Sequence, residues 1–207
     1  MTVDLSSCHA MRWSAFAPRG SINPQMRPLQ REVSLKFDPP GVTACCWGMI
    51  SPGTKLNLEF PVKVWSKGEA REARFGELLT RRTIVSVYMK NNTPSCDRQN
   101  ESLVEHAARF AAAGYDLIAL SRDTCGSHGR YAAAKSIPYL LVSDPKDQFA
   151  LAADSLVAKS MYGRSYIGPA RAAFVLDPDG TVVAIAEKVD TVDHAGQLLT
   201  LIAGLRP

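Results

Sequence analysis

Cys96 is the residue whose position in the sequence offers the clearest chemistry. It follows a run of apolar and β-branched residues (83–88) and the loop proline Pro94, and it precedes apolar residues at helical spacing that end near Gly114. This order predicts a strand, a loop and a helix whose first turn carries the Cys96 sulfur. Unpaired N–H groups and the positive end of the helix dipole lie there, and both favour the nucleophilic thiolate.

The residues before Cys96 are expected to present its sulfur at a ligand-binding edge. Pro94 cannot continue the preceding strand, and together with Thr93 it should hold the loop in one shape. The loop would lie at the carboxyl end of a strand, where open α/β sheets bind their ligands. An isolated cysteine is more often a buried core residue, but the strand, loop and helix around Cys96 favour a reactive thiol.

The elements that must position this thiol alternate along the chain. Strands are predicted at residues 56–60, 61–65, 83–88, 115–120, 139–142, 172–176 and 181–186, and helical stretches at 75–79, 96–114, 126–135, 147–156 and 193–203. Residues 177–180 read Asp-Pro-Asp-Gly, which is typical of a hairpin turn. Parallel crossover units followed by an antiparallel pair predict an α/β, thioredoxin-like fold, a central mixed β-sheet with helices on both faces.

The composition is that of an ordinary folded protein with an unusual N-terminal segment. The chain has 207 residues, of which 46% are hydrophobic and 21% charged. Prolines interrupt the first 48 residues, and no helical or strand period is sustained there. We therefore expect residues 1–48 to be a poorly ordered extension, with Met49 as an alternative start, and residues 49–207 to form the domain.

Several classes of function are disfavoured by the same composition. The net charge of +4 comes without a basic run, so nucleic-acid binding is not expected. No apolar run reaches the roughly 20 residues of a membrane helix, and no signal peptide is recognisable, so a cytoplasmic location is expected. The five cysteines show neither a disulfide framework nor metal-ligand spacing, and no nucleotide motif is present. No metal or organic cofactor is therefore predicted.

Four segments resemble the peroxiredoxin family, most closely its bacterioferritin comigratory protein (Bcp) or PrxQ branch. Residues 88–96, YMKNNTPSC, resemble the peroxidatic loop of these proteins. Residues 121–128 resemble the branch's Ser-x-Asp-Ser-x-x-Ser-His strand exit, and residues 137–144 its Pro-Phe-x-Leu-Leu-Ser-Asp strand. Residues 159–177 resemble its segment of lysines, glycines and an arginine that ends in Phe-x-Ile-Asp. The resemblance runs in order from about residue 52 to residue 202.

The resemblance implies roles for individual residues. Cys96 would attack the peroxide O–O bond and become a sulfenic acid. Thr93 would hydrogen-bond the peroxide, and Arg171 would stabilise the thiolate and the polarised oxygens, as charge developing on a leaving oxygen requires. Gln99 matches a polar position of the family and would support the loop, although an exposed helical glutamine remains an alternative. For Arg171 the alternative is a surface ion pair.

Two positions depart from the family pattern. The loop proline of the family is replaced by Met89, which should loosen the loop. Glu101 stands where many members of the branch carry a resolving cysteine, so their disulfide within one helix cannot form. Cys125 is a possible resolving cysteine, although the branch's second resolving position corresponds to Ala132. The alternative is a one-cysteine cycle in which an external thiol reduces the sulfenic acid.

The sequence thus predicts a thiol peroxidase that reduces hydrogen peroxide and organic hydroperoxides, with thioredoxin or a similar thiol donor as reductant. By analogy with the branch, a monomer is expected. A peroxide-sensing relay protein that oxidises a partner remains an alternative. A thiol–disulfide oxidoreductase on the same fold fits less well, because Gln99 stands where a Cys-x-x-Cys motif needs its second cysteine. His128 is expected to have a structural role, and His106 is expected to be a surface side chain.

Overall fold

The predicted alternation of strands and helices is present in the computed structural model, which describes residues 50–161 and 164–205. The strands are β1 (Pro61–Ser66), β2 (Glu69–Arg74), β3 (Thr83–Val87), β4 (Asp116–Ser121), β5 (Leu140–Ser143), β6 (Leu156–Met161), β7 (Arg164–Pro169), β8 (Ala173–Leu176) and β9 (Val182–Ala186). The helices are α1 (Pro94–Ala112), α2 (Cys125–Lys135), α3 (Gln148–Ala152) and α4 (His194–Ala203), with a 3₁₀ turn at Phe75–Leu78. The extension expected over residues 1–48 lies outside the described residues.

Seven strands form one mixed sheet in the order β2-β1-β5-β4-β3-β8-β9. The strands β3, β4 and β5 are parallel to one another, as crossover helices require. The strands β1, β8 and β9 join antiparallel at the two sides. Within the described residues, the strands β6 and β7 pair only with each other and form a separate hairpin.

The core lies on both faces of the sheet, because alternate residues of each strand point to opposite sides. All five residues of β3 are buried, as expected for a central strand. Ile84 packs with Phe110 of α1 and Leu198 of α4 on one face. Val85 packs with Phe149 of α3 on the other face. The predicted mixed sheet with helices on both faces is confirmed.

Short sequence motifs correctly predicted the end of α1, the hairpin turn and the start of α4. The helix α1 ends at Ala112, and Gly114 follows with φ of +87°, a conformation that favours glycine. In the predicted hairpin turn, Gly180 donates its N–H to the Asp177 carbonyl at 2.9 Å. The final helix begins after Asp193, whose carboxylate accepts from the Gly196 N–H at 3.0 Å.

Two predictions of secondary structure were wrong, and the strands β2, β6 and β7 were not predicted. Residues 56–60 form no strand; Leu56 and Leu58 are anchored by their side chains in the core instead. The helix predicted over 147–156 is only Gln148–Ala152, because Asp154 has a positive φ of 43° and ends it. The strand β2 was not predicted, because its sequence, Glu-Ala-Arg-Glu-Ala-Arg, is almost wholly exposed and charged.

No helix within residues 50–161 and 164–205 is both long and apolar enough to cross a membrane. In the same described ranges, no three or more His, Cys, Asp or Glu side chains are grouped so that they could hold a metal ion.

Candidate active site

The Cys96 sulfur lies where the sequence predicts it, in the first turn of α1 after the loop that leaves β3. Pro94 is the first helical residue, a position that proline favours because no N–H is needed there. Thr93 precedes it in an extended conformation, with φ of −121°. Cys96 itself is only 1% exposed, and it packs against Tyr88 and Tyr131.

Arg171 reaches this sulfur from the loop before β8. Its Nη2 lies 3.3 Å from Cys96 Sγ and 3.3 Å from Ser95 Oγ, and its Nη1 donates to Gln99 Oε1 at 2.6 Å. Three contacts on α1 therefore hold one half-buried guanidinium beside the thiol. The alternative of a surface ion pair is wrong, because these partners are neutral or a thiol rather than exposed carboxylates.

Gln99 is fully buried, so the alternative of an exposed helical glutamine is also wrong. It lies one turn after Cys96, on the side of α1 that faces Arg171. Its Nε2 donates to Ser86 Oγ of β3 at 2.9 Å. The same Nε2 lies 3.4 Å from the Val87 carbonyl at the end of β3. Gln99 thus joins Arg171 to the sheet.

The pKa of the Cys96 thiol is lowered from its ordinary value, although burial alone would raise it. Hydrogen bonding by the Thr93 side chain and by the backbone of Lys90 and Met89 outweighs that burial. The positive charge of Arg171 adds to the effect. The first turn of α1 therefore stabilises the Cys96 thiolate relative to that of an ordinary cysteine.

The Thr93 hydroxyl has two competing partners. In the structure it donates to the Lys90 carbonyl at 3.0 Å. Because a hydroxyl carries one proton, Thr93 can donate to the sulfur only by turning away from that carbonyl. The lone pairs of its oxygen remain free to accept a hydrogen bond from a bound hydroperoxide.

The loop between β3 and α1 is anchored by buried polar groups, although Met89 replaces the family proline. Asn91 accepts from the Tyr88 hydroxyl at 2.6 Å, and its side-chain amide donates to Ser127 Oγ at 2.9 Å. The Asn91 N–H donates to the Asp123 carboxylate at 2.8 Å. The Lys159 ammonium of β6 contacts the Met89 sulfur. Contacts to β6 and to the start of α2 thus hold this loop.

Cys125 has surroundings different from those of Cys96. It is the first residue of α2, and α2 packs on β1, where the Trp65 ring lies against Gly129. Burial raises the pKa of the Cys125 thiol, and only the Lys63 charge of β1 opposes this. Both cysteines are free. Cys125 therefore lacks the features that favour a thiolate at Cys96.

His128 and His106 both contact protein groups of the fold. His128 is fully buried in α2, and its Nδ1 lies 3.3 Å from the Tyr88 hydroxyl, in the network that anchors the loop. His106 is half-buried rather than at the surface, and its Nδ1 lies 3.1 Å from the Ser102 carbonyl.

Three residues near the site were not singled out from the sequence. Ser95 contacts Arg171, while Ser86 and His194 extend the Gln99 contact toward α4, with Ser86 Oγ 3.0 Å from His194 Nε2. Ser86 could have been noticed, because it is the one hydroxyl among the inner apolar residues of β3. No local pattern marks His194, which lies 108 residues after Ser86 in the sequence.

Comparisons with known proteins identify the family of the chain. The model of the AhpC/TSA family matches residues 55–185. The Peroxiredoxin Bcp of Xanthomonas campestris pv. campestris is 31% identical over 119 residues, which cover 58% of this chain and 74% of the relative. The Peroxiredoxin Bcp of Bacillus subtilis is 28% identical over 116 residues, which cover 56% and 74%.

A solved structure of Xanthomonas campestris Peroxiredoxin Q superposes with a TM-score of 0.66 and 25% identity, covering 74% of this chain and 97% of that one. The family match spans more than half of the chain and includes the loop, Cys96 and Arg171. The chain therefore belongs to the AhpC/TSA family, within its Bcp/PrxQ branch of peroxiredoxins, and is a thiol peroxidase.

Proposed function

We propose that Cys96 is the peroxidatic cysteine. Its thiolate attacks the terminal OH oxygen of the hydroperoxide, an S–O bond forms as the O–O bond breaks, and the second oxygen leaves with the bonding electron pair. That oxygen takes up from solvent the proton that the thiol released on ionising, and it departs as water or an alcohol. The thiolate is thereby oxidised to a sulfenic acid, and the hydroperoxide is reduced. The observation that carries this proposal is the guanidinium of Arg171 held 3.3 Å from Cys96 Sγ.

Arg171 and Thr93 assist that step through fixed charge and hydrogen bonds. The guanidinium favours the thiolate before the attack and offsets negative charge on the leaving oxygen during it. The Thr93 hydroxyl binds the peroxide through its oxygen and orients it toward the sulfur. Pro94 and Gln99 act indirectly: Pro94 begins the helix that presents Cys96, and Gln99 holds the guanidinium.

The substrates we propose are hydrogen peroxide and organic hydroperoxides, with thioredoxin as the thiol donor that restores Cys96. A monomer working in the cytoplasm is the simplest form consistent with this cycle. The proposal needs no metal or organic cofactor, because the O–O bond is broken by the thiolate and the charges beside it.

For the return to thiol, we propose direct reduction of Cys96 by an external thiol. Glu101 stands where many members of the branch carry a resolving cysteine, and Cys125 lies near Lys63 of β1, whereas Cys96 contacts Arg171. A Cys96–Cys125 disulfide would need the two Cα atoms within about 7 Å.

Peroxide turnover by wild type, Cys96→Ser and Cys125→Ser tests these assignments, with mass mapping of disulfides after one equivalent of peroxide. We expect Cys96→Ser to be inactive and Cys125→Ser to retain thioredoxin-coupled turnover. A Cys96–Cys125 disulfide, with loss of turnover in Cys125→Ser, would instead identify Cys125 as the resolving cysteine. Full activity of Cys96→Ser would overturn the assignment of Cys96, and a single turnover without thioredoxin-coupled recycling would point to the sensor.

A further inference from the structure

A buried chain of hydrogen bonds leads from Arg171 away from Cys96 to helix α4. Arg171 Nη1 donates to Gln99 Oε1 at 2.6 Å, and Gln99 Nε2 donates to Ser86 Oγ at 2.9 Å. Ser86 Oγ in turn lies 3.0 Å from His194 Nε2. Gln99, Ser86 and His194 are each at most 1% exposed. Water therefore cannot replace any of these partners.

The direction of each hydrogen bond in this chain follows from the chemistry of Arg171. A guanidinium can only donate, so the oxygen of Gln99 must face it and the Gln99 amide nitrogen must face Ser86. The Ser86 oxygen accepts from that nitrogen. Its own single proton can then be donated to His194 when Nε2 is the unprotonated ring nitrogen.

We propose that His194 is a positioning residue of the peroxidase site, whose Nε2 orients the Ser86 hydroxyl so that Gln99 keeps its oxygen toward Arg171. This inference rests on the proposed roles of Cys96 and Arg171. Without an acceptor at position 194, the Ser86 proton can turn toward Gln99. The reversed amide would then satisfy Ser86, but its NH₂ group would face the guanidinium and release Arg171 from its place beside Cys96.

The charge state of His194 is consistent with an acceptor role. Burial lowers the pKa of His194 to about 4, and the positive charge of Arg171 acts in the same direction. The Gln197 side chain, in the next turn of α4, and the Asp190 carboxylate before the helix act in the opposite direction and are outweighed. The ring is therefore neutral at neutral pH. The tautomer in which Nε2 accepts from Ser86 carries its proton on Nδ1, which has no hydrogen-bond partner among the described residues.

Two isosteric substitutions separate an acceptor role from a packing role. In His194→Gln the amide oxygen can stand where Nε2 stands, whereas in His194→Asn the shorter amide reaches only the place of Nδ1. Both variants keep a polar side chain at the start of α4. Leu198→Ala serves as the control on the same helix, because Leu198 is fully buried in the core but belongs to no part of the hydrogen-bonded chain.

The readouts are the second-order rate of Cys96 oxidation by hydrogen peroxide and the pH profile of Cys96 alkylation by iodoacetamide. We expect His194→Asn to lose about 5- to 10-fold in rate, the loss of one hydrogen bond, and to shift the alkylation profile to higher pH. His194→Gln should stay within about 2-fold of wild type. Leu198→Ala should lower Tm without moving the alkylation profile.

The coupling to Ser86 is tested by a double-mutant cycle. Ser86→Ala should reduce the oxidation rate, and adding His194→Asn to it should cause no further loss, because the second change acts through the first. Equal rates and profiles for His194→Asn and wild type, additive losses in the cycle, or an equal loss in His194→Gln would each overturn the inference. Those outcomes differ from failure of the proposed function, in which Cys96→Ser would remain active.

Discussion

Removing the guanidinium beside Cys96 is the perturbation for which the structure gives the clearest magnitude. Arg171→Met keeps the length of the apolar stem but removes the positive charge and the contacts to Cys96, Ser95 and Gln99. A hydrogen bond to a charged group contributes about 1.5–3 kcal/mol. Lost in full from the reaction with peroxide, that free energy corresponds to a rate about 10- to 150-fold lower. The pKa of the Cys96 thiol should rise, because a group that lowers it is removed.

The assay is stopped-flow oxidation of the reduced protein by hydrogen peroxide, together with the pH profile of alkylation of Cys96. Arg82→Met is the matched control, because Arg82 pairs with Asp177 at 2.7 Å beside the first residue of β3, at the opposite end of the strand from Cys96. Arg171→Lys, which restores charge but not the planar fork, should recover part of the rate. An oxidation rate for Arg171→Met within about 3-fold of the Arg82→Met rate would refute the reasoning, since the expected loss is at least about 10-fold.

Three further outcomes are expected. Gln99→Leu should lower the peroxide rate about 10-fold, measured by the same stopped-flow assay, because the guanidinium loses its buried acceptor. Gly129→Ala should destabilise the fold by about 1–3 kcal/mol in urea denaturation, because the new Cβ would lie 2.9 Å from the Trp65 ring; Gly126→Ala, with nothing within 4 Å, should not. The pKa of His194 falls from 6.5 to about 4 on folding, so the unfolded chain binds the proton first, and the contribution of His194 to stability should decrease by about 3 kcal/mol between pH 7 and 4; equal changes in the urea midpoints of wild type and His194→Gln over that range would contradict this.

The elements that carry the site could be predicted because their signals are local. The apolar strand β3, the glycine after α1 and the Asp-Pro-Asp-Gly turn each encode their conformation in a few neighbouring residues. The strand β2 could not be predicted in this way, since its charged residues have no strand pattern and are held by pairing with β1. The five-residue helix α3 was overestimated because the apolar run continues past Asp154 into β6.

The site itself was predictable only in part. Cys96 was singled out from its place between a strand and a helix, and Thr93 and Arg171 were named from the resemblance. The structure places Cys96 and Arg171 in contact. The burial of Gln99 was left open, because a lone glutamine on a helix has the same sequence signal whether it faces solvent or a buried serine. The pairing of Ser86 with His194 depends on how α4 packs on the sheet, and no spacing along the chain encodes that contact.

The exposed strand β2 has a consequence for the protein at high concentration. It forms one border of the seven-stranded sheet, and no strand of the described residues pairs with its outer side. Its glutamates and arginines are exposed, so a second chain could add a strand there only if some of these charges were desolvated. The charged border therefore disfavours aggregation by strand addition.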